Sequence, residues 1–149
     1  MSASGFSDVT LAAKRALQAE PAVANGNVRR GQPRPLQAGQ AVAALVLPAV
    51  AQGDDEHTNG PRDWRTTVVV ELQARAHAGQ EPEDALDVLL CDAYARLTRL
   101  ADFCPAVVEA MGTPRVEWDI AEADTAIATV RLAFTVLHRT QPGSLISDT

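Results

Sequence analysis

Aromatic side chains are scarce: the chain has three Phe, two Trp and one Tyr in 149 residues. Its core must therefore be built from Val, Leu, Ile and Ala. Trp64 and Trp118 stand alone in the sequence, so packing rather than base stacking is expected of them. Cysteine is equally sparse. Cys91 and Cys104 are the only two and form no Cys-x-x-Cys unit, and Met1-Ser2-Ala3-Ser4-Gly5 lacks the basic and apolar regions of a secretory signal. Both thiols are expected to be reduced and buried, in a chain made in the cytoplasm. Positive charge is in deficit, with 13 Lys and Arg against 19 Asp and Glu, a net charge of −6 and a pI near 4.9. That balance tells against a protein whose main task is to neutralise phosphates. Long hydrophobic runs are missing as well: the most apolar stretch, Ala41 to Ala51, is too short to span a membrane and contains Pro48.

The usual carriers of chemistry are also absent. No phosphate-binding glycine loop occurs, and His57, His77 and His138 are scattered, with no Ser or Cys beside them in a nucleophile motif. Asp54-Asp55-Glu56-His57 is a run of consecutive side chains, which seldom converge on one ion, and the spacing of a calcium loop is lacking. Glu81, Glu83, Asp84 and Asp87 cluster where a helix begins, and the helix dipole alone accounts for them. Neither catalysis nor a metal or cofactor is expected.

What is present is strong patterning. With 46% apolar and 21% charged residues the chain reads as one globular domain, residues 1–149. From Glu122 to Thr140, Ala126, Ala128, Val130, Leu132, Phe134 and Val136 alternate with Thr125, Thr129, Arg131, Thr135 and Arg139. A period of two over this length predicts a long strand with one buried face. Val116, Trp118 and Ile120 alternate just before it, with Asp124 as a turn residue between, so the chain should close on a long hairpin followed by a tail at about 141–149.

Upstream, Ser7 can cap a first helix that stops before Pro21. Val23 to Val28 reads as a short strand, and Arg29 to Pro35, with two prolines and a glycine, as irregular. Ala41 to Ala51 reads as a strand covered on both faces, with Pro48 at an edge or bulge. Gln52 to Asp63 is a polar loop, and Thr66 to His77 is a strand with Val68, Val70, Leu72 and Ala74 on one side. Pro82 to Leu100 is an amphipathic helix whose stripe is Leu86, Leu89, Leu90, Ala93, Tyr94, Leu97 and Leu100. The order helix, short strand, strand, strand, helix, strand, strand gives the α+β class. The implied architecture is a single-domain α/β sandwich, a mostly antiparallel sheet with helices packed on one face.

Certain residues do not fit a monomer. Val69, Ile127 and Leu137 are apolar on faces that are otherwise polar, which marks them as a subunit interface. The loop at about 52–63, with Asp54, Asp55 and Glu56, is expected to be a hairpin arm or flexible loop that orders against a neighbouring subunit or partner. Arg29, Arg30 and Arg34 form the one basic cluster. It reads as a solvated loop, as a docking site for an acidic partner surface, or as a contact for passing nucleic acid.

One family shares this arrangement. The first helix, Val-Arg-Arg-Gly-x-Pro-Arg-Pro-Leu from Val28 and the apolar strand lead into the acidic loop and Trp-Arg-Thr-Thr-Val-Val-Val-Glu-Leu from Trp64. A helix opening Pro-Glu-Asp-Ala-Leu-Asp-Val-Leu and the final Arg-Leu-Ala-Phe-Thr-Val-Leu-His-Arg-Thr follow. Across essentially the whole chain this resembles the tail terminator (minor tail protein U-like) proteins of long-tailed bacteriophages. The resemblance implies a structural virion protein, not an enzyme, at the head-proximal end of the tail. It implies a homohexameric ring that caps the tail tube, ends its polymerisation and meets the head-closure or neck proteins. DNA would pass through the ring without specific binding. The family supplies no catalytic or binding residues to carry over. A different head–tail joining component and a nucleic-acid-binding adaptor are the alternatives.

Overall fold

The computed structural model describes residues 3–31, 40–54, 60–75, 81–120 and 127–148. The elements follow the expected order: α1 (Gly5–Gln18), β1 (Val28–Arg30), β2 (Val42–Gly53), β3 (Arg62–Arg75), α2 (Pro82–Leu97), β4 (Val107–Ile120) and β5 (Ile127–Thr140). Short 3-10 turns occupy Val23–Gly26 and Leu100–Asp102. The five strands form one sheet in the order β1-β2-β3-β5-β4, antiparallel except for the β1–β2 pair. The protein is α+β.

β3 and β5 pair without a break, from Arg62 opposite Thr140 to Arg75 opposite Ile127. Their even-numbered apolar residues therefore share one face: Val68, Val70, Leu72 and Ala74 beside Ala128, Val130, Leu132, Phe134 and Val136, all buried. Ala44 and Val46 of β2 extend that face, and Val9, Ala12, Ala13, Ala16 and Leu17 of α1 and Leu86, Ala93 and Leu97 of α2 close over it. Both helices thus lie on one side of the sheet, and the other side carries no described helix. β4 belongs to the last hairpin, as expected, although the turn at 121–126 lies outside the described residues.

Several boundaries differ from the sequence reading. α1 starts before Ser7, and it is the Ser4 hydroxyl that caps it, accepting from the Ser7 amide at 3.2 Å. Val23–Gly26 is a 3-10 turn with Ala24 and Asn25 at positive φ, so the short strand begins only at Val28. Arg29 and Arg30 are part of β1 rather than of an irregular loop, because parallel pairing to Leu45 and Val46 satisfies their backbone. β2 is buried at Ala43–Val46 but not along its whole length: Val50 is 64% exposed. The reason is that β1 reaches only as far as Val46, leaving the rest of β2 on an edge, where Pro48 sits at a bulge. Gln52, Gly53, Arg62 and Asp63 are strand residues, so the expected loop narrows to a hairpin tip, of which 55–59 lie outside the described residues.

α2 ends at Leu97, with Leu100 buried from the following 3-10 turn, and Tyr94 points outward at 40% exposure instead of joining the stripe. β4 begins at Val107, well before Val116. Gly112 and Pro114 hide its alternation, and three register shifts between Val107 and Arg115 accommodate them, with Met111 and Thr113 at positive φ. At Gly112 the close approach is real: a Cβ there would lie 3.2 Å from the Thr135 carbonyl oxygen. The thiols also divide, Cys104 being buried and Cys91 exposed on the outer side of α2.

Leu132 lies at the centre of the buried face. Leu132→Ala should cost roughly 2–5 kcal/mol in urea unfolding, whereas Val108→Ala, at an exposed position of β4, should change stability by less than about 0.5 kcal/mol. Equal effects would mean that the core is not centred on β5.

Candidate assembly surface

Because pairing is in register, the helix-free face can be read row by row across the strands. One row is Arg29, Leu45, Glu71, Arg131 and Glu117, from β1 to β4. Arg131 pairs with Glu71 at 3.2 Å and Arg115 with Glu117 at 2.6 Å, so the row's carboxylates are held by neighbouring arginines. The next rows are different in character. Leu47, Val69, Ala133 and Arg115 form one, Val50, Thr67, Thr135 and Gly112 the next, and Gln52, Arg65, Leu137 and Glu109 the last, with the β2 bulge falling between Pro48 and Val50. This half of the face is apolar and small at its centre and open to solvent at Val50 and Arg65. A depression of about 250 Å³ is sunk into it, lined by Arg65, Glu109, Gly112, Thr113, Thr135 and Leu137.

The structure brings Val69 and Leu137 together in this half, both half-buried. Ile127 shares their face but lies opposite Arg75 at the far end of β5, ten residues and so roughly 33 Å from Leu137 along the strand. The three do not make one patch. Asp54 stands at the hairpin end, where its amide donates to the Asp63 carbonyl at 3.0 Å and its carbonyl accepts from Arg62 at 2.6 Å. Its buried Oδ1 has no hydrogen-bond partner among the described residues. Asp55 and Glu56 lie outside the described residues, as does Arg34.

Arg29 and Arg30 project to opposite faces. Arg29 lies in the charged row, half-buried, whereas the Arg30 guanidinium donates to the Ser7 carbonyl at 3.0 Å, to its hydroxyl at 3.1 Å and to the Thr10 hydroxyl at 3.4 Å. Arg30 ties β1 to α1 and is not part of a common basic surface. The charged row escaped the sequence reading because its members are far apart in the chain; only strand register assembles them. Among the described residues no helix is long and apolar enough to cross a membrane, and no three His, Cys, Asp or Glu side chains gather as a metal ion requires.

No protein-family model matches the chain, and no curated protein does. Among solved structures, a chain of the virion of a native gene transfer agent particle superposes with a TM-score of 0.51. It is 15% identical, over 88% of this chain and 94% of that one. A sheath/tube terminator of a PVC extracellular contractile injection system, in its extended state, gives 0.46 at 8% identity, over 100% of this chain and 62% of that one. The first likeness shows a shared fold.

At one end of the sheet a polar cluster fastens both ends of the described chain. His138 is fully buried, shares a 2.7 Å hydrogen bond with the Thr66 hydroxyl through Nε2, and meets the edge of Phe6 at 5.6 Å. Phe6 also packs edge-on to Trp64, whose indole N–H donates to the Thr140 hydroxyl at 3.0 Å. The Gly5 amide donates to the Leu145 carbonyl at 2.6 Å and the Ser147 hydroxyl to Asp8 at 2.6 Å, so the segment after β5 is folded back onto α1. Only a tail is expected here from the sequence; Pro142-Gly143 is the turn signal that could have revealed the return.

Burial pushes the His138 imidazole below its ordinary value of 6.5, against the pull of Asp8 and Asp63, and its Nδ1 has no hydrogen-bond partner among the described residues. A depressed imidazole takes up its proton more readily in the unfolded chain, so its contribution to stability is intact above 6.5 and is lost as pH falls. The urea midpoint of the wild type should therefore drop on acidification below pH 6.5 more than that of His138→Gln, narrowing the gap between them. Parallel curves would show that the imidazole takes up its proton as readily in the folded chain as in the unfolded one.

Proposed function

We propose that the chain is a tail terminator: a structural, non-enzymatic protein that forms a ring of its own copies, six by the family resemblance, on the end of a tail tube. The observation that supports this most is the helix-free sheet face. A sandwich with helices on one side only leaves Leu47, Val50, Val69, Ala133 and Leu137 without a covering layer of described helix, and neighbouring subunits are the natural cover. In this reading the ring sits at the head-proximal end of the virion tail, ends tube growth and meets the neck protein. The fold shared with a virion chain supports the same reading.

The roles of the remaining residues follow. The end of the β2–β3 pair at Asp54, with Asp55 and Glu56 following it in the sequence, reaches a neighbouring subunit or the tube. Arg29 and Arg34 are the members of the basic cluster left to dock on an acidic partner, since Arg30 is committed to α1. A net charge of −6 per chain, repeated around a ring, disfavours any grip on passing DNA. Particles assembled without this protein should carry tubes that overrun their normal length and tails that fail to join heads, seen by electron microscopy. Tubes of normal length joined to heads would overturn the reading; normal tubes without heads would favour a neck component instead.

A further inference from the structure

The first turns of α2 present an acidic outer surface, whereas the helix-free sheet face carries arginines and carboxylates together. Glu81, Glu83, Asp84 and Asp87 are all exposed in or near its first turns, and none has an ion-pair partner among the described residues. In their midst Val88 stands 70% exposed, flanked one turn on by the exposed Cys91. A valine so placed is an apolar knob in an acidic setting. The sheet face offers a matching socket: the depression floored by Gly112, Thr135 and Leu137, with Val50 exposed two strands away. Its wall is Arg65, exposed and without an ion pair among the described residues, and Glu109 forms the opposite wall.

These two surfaces lie on opposite sides of the sandwich, because α2 packs on one face of the sheet and the socket is on the other. No chain can satisfy its own pair. We propose that the occupant of the socket is α2 of a second copy, with Val88 seated over Leu137 and Thr135 and Asp87 against Arg65, away from Glu109. The contact is heterologous, each copy offering its sheet face to one neighbour and its helix to the other. Such a contact propagates and closes as a ring when the rotation between copies permits. The inference rests on the ring reading above and specifies which surfaces build it.

The test uses the full-length chain with two charge reversals at exposed positions, Arg65→Glu and Asp87→Arg. Each alone puts like charges face to face, and each should raise the concentration needed for assembly about ten-fold or more in light scattering, with an unchanged circular dichroism spectrum. Mixed in equal amounts, the two variants should assemble again. The new glutamate in the socket of one variant then meets the new arginine on the helix of the other. The second contact keeps the natural Arg65 and Asp87, so copies alternate around an even-numbered ring. Rings containing both variants in equal numbers, by native mass spectrometry, are the expected result. A wild type that assembles while either reversal leaves assembly untouched, or a mixture that stays dissociated, overturns this contact but not the ring. A wild type that remains monomeric at every concentration and on isolated tail tubes overturns the ring reading and the contact with it.

Discussion

The unbroken pairing of β3 with β5 is the constraint on which the rest depends. Both strands are 14 residues long, and a slip of one residue would move every side chain of one strand to the other face of the sheet. Val68, Val70 and Leu72 would then give way to Val69, Glu71 and Gln73 beneath the helices. The penalty for burying Glu71 there, away from Arg131, is what makes the register strict. Its ion pair contributes little by itself, because Arg131 is about half exposed and screened. Its value is that only one register allows it. Once β3 and β5 are fixed, β2 and β4 take their rows from them, and the two faces acquire their separate characters.

The sequence was most informative where local pattern and tertiary environment agree. The alternation of Ala128 to Val136 predicts its buried face correctly, and so do Val68 to Ala74 and the Leu86, Ala93 and Leu97 stripe. The order of all seven elements follows from those signals. Reading failed where pairing overrides local preference. Arg29 and Arg30 sit next to glycine and prolines, yet β2 recruits them into a parallel strand. Gly112 and Pro114 break the pattern of β4, and an edge position tolerates what a central one would not. Tyr94 falls within the periodicity of the α2 stripe but at its margin, and its ring turns outward.

The candidate surface was legible only in part. Val69 and Leu137 are misfits in their own strands, and a sequence pattern can show that. It cannot show that they share one half of the sheet face, two rows apart, or that Ile127 lies at the far end of β5, since that depends on which strands pair. The socket is less visible still. Gly112 and Thr135 are ordinary residues until a bulge places them side by side, and Arg65 gains its meaning only from what surrounds it.

The edges of the sheet decide how such a molecule can associate. An open strand edge is the usual route to further pairing, but here each edge is impaired. β1 is three residues long and covers only Ala44 to Val46, and the free part of β2 beyond it carries Pro48 and a bulge. On the other side β4 has three register shifts, Pro114 within the strand, and the charged pair Arg115 and Glu117 on its surface. Neither edge offers a long, regular row of amides and carbonyls to a second chain. Association by continuing the sheet is therefore disfavoured at both ends. The faces remain, and they are unlike: one is a helix layer with an acidic patch at the start of α2, the other an open sheet with a hollow between Arg65 and Glu109 floored by Gly112, Thr135 and Leu137. Two unlike faces on opposite sides of one domain favour head-to-tail contacts over symmetric pairs. With both edges impaired, the faces are the surfaces left for association.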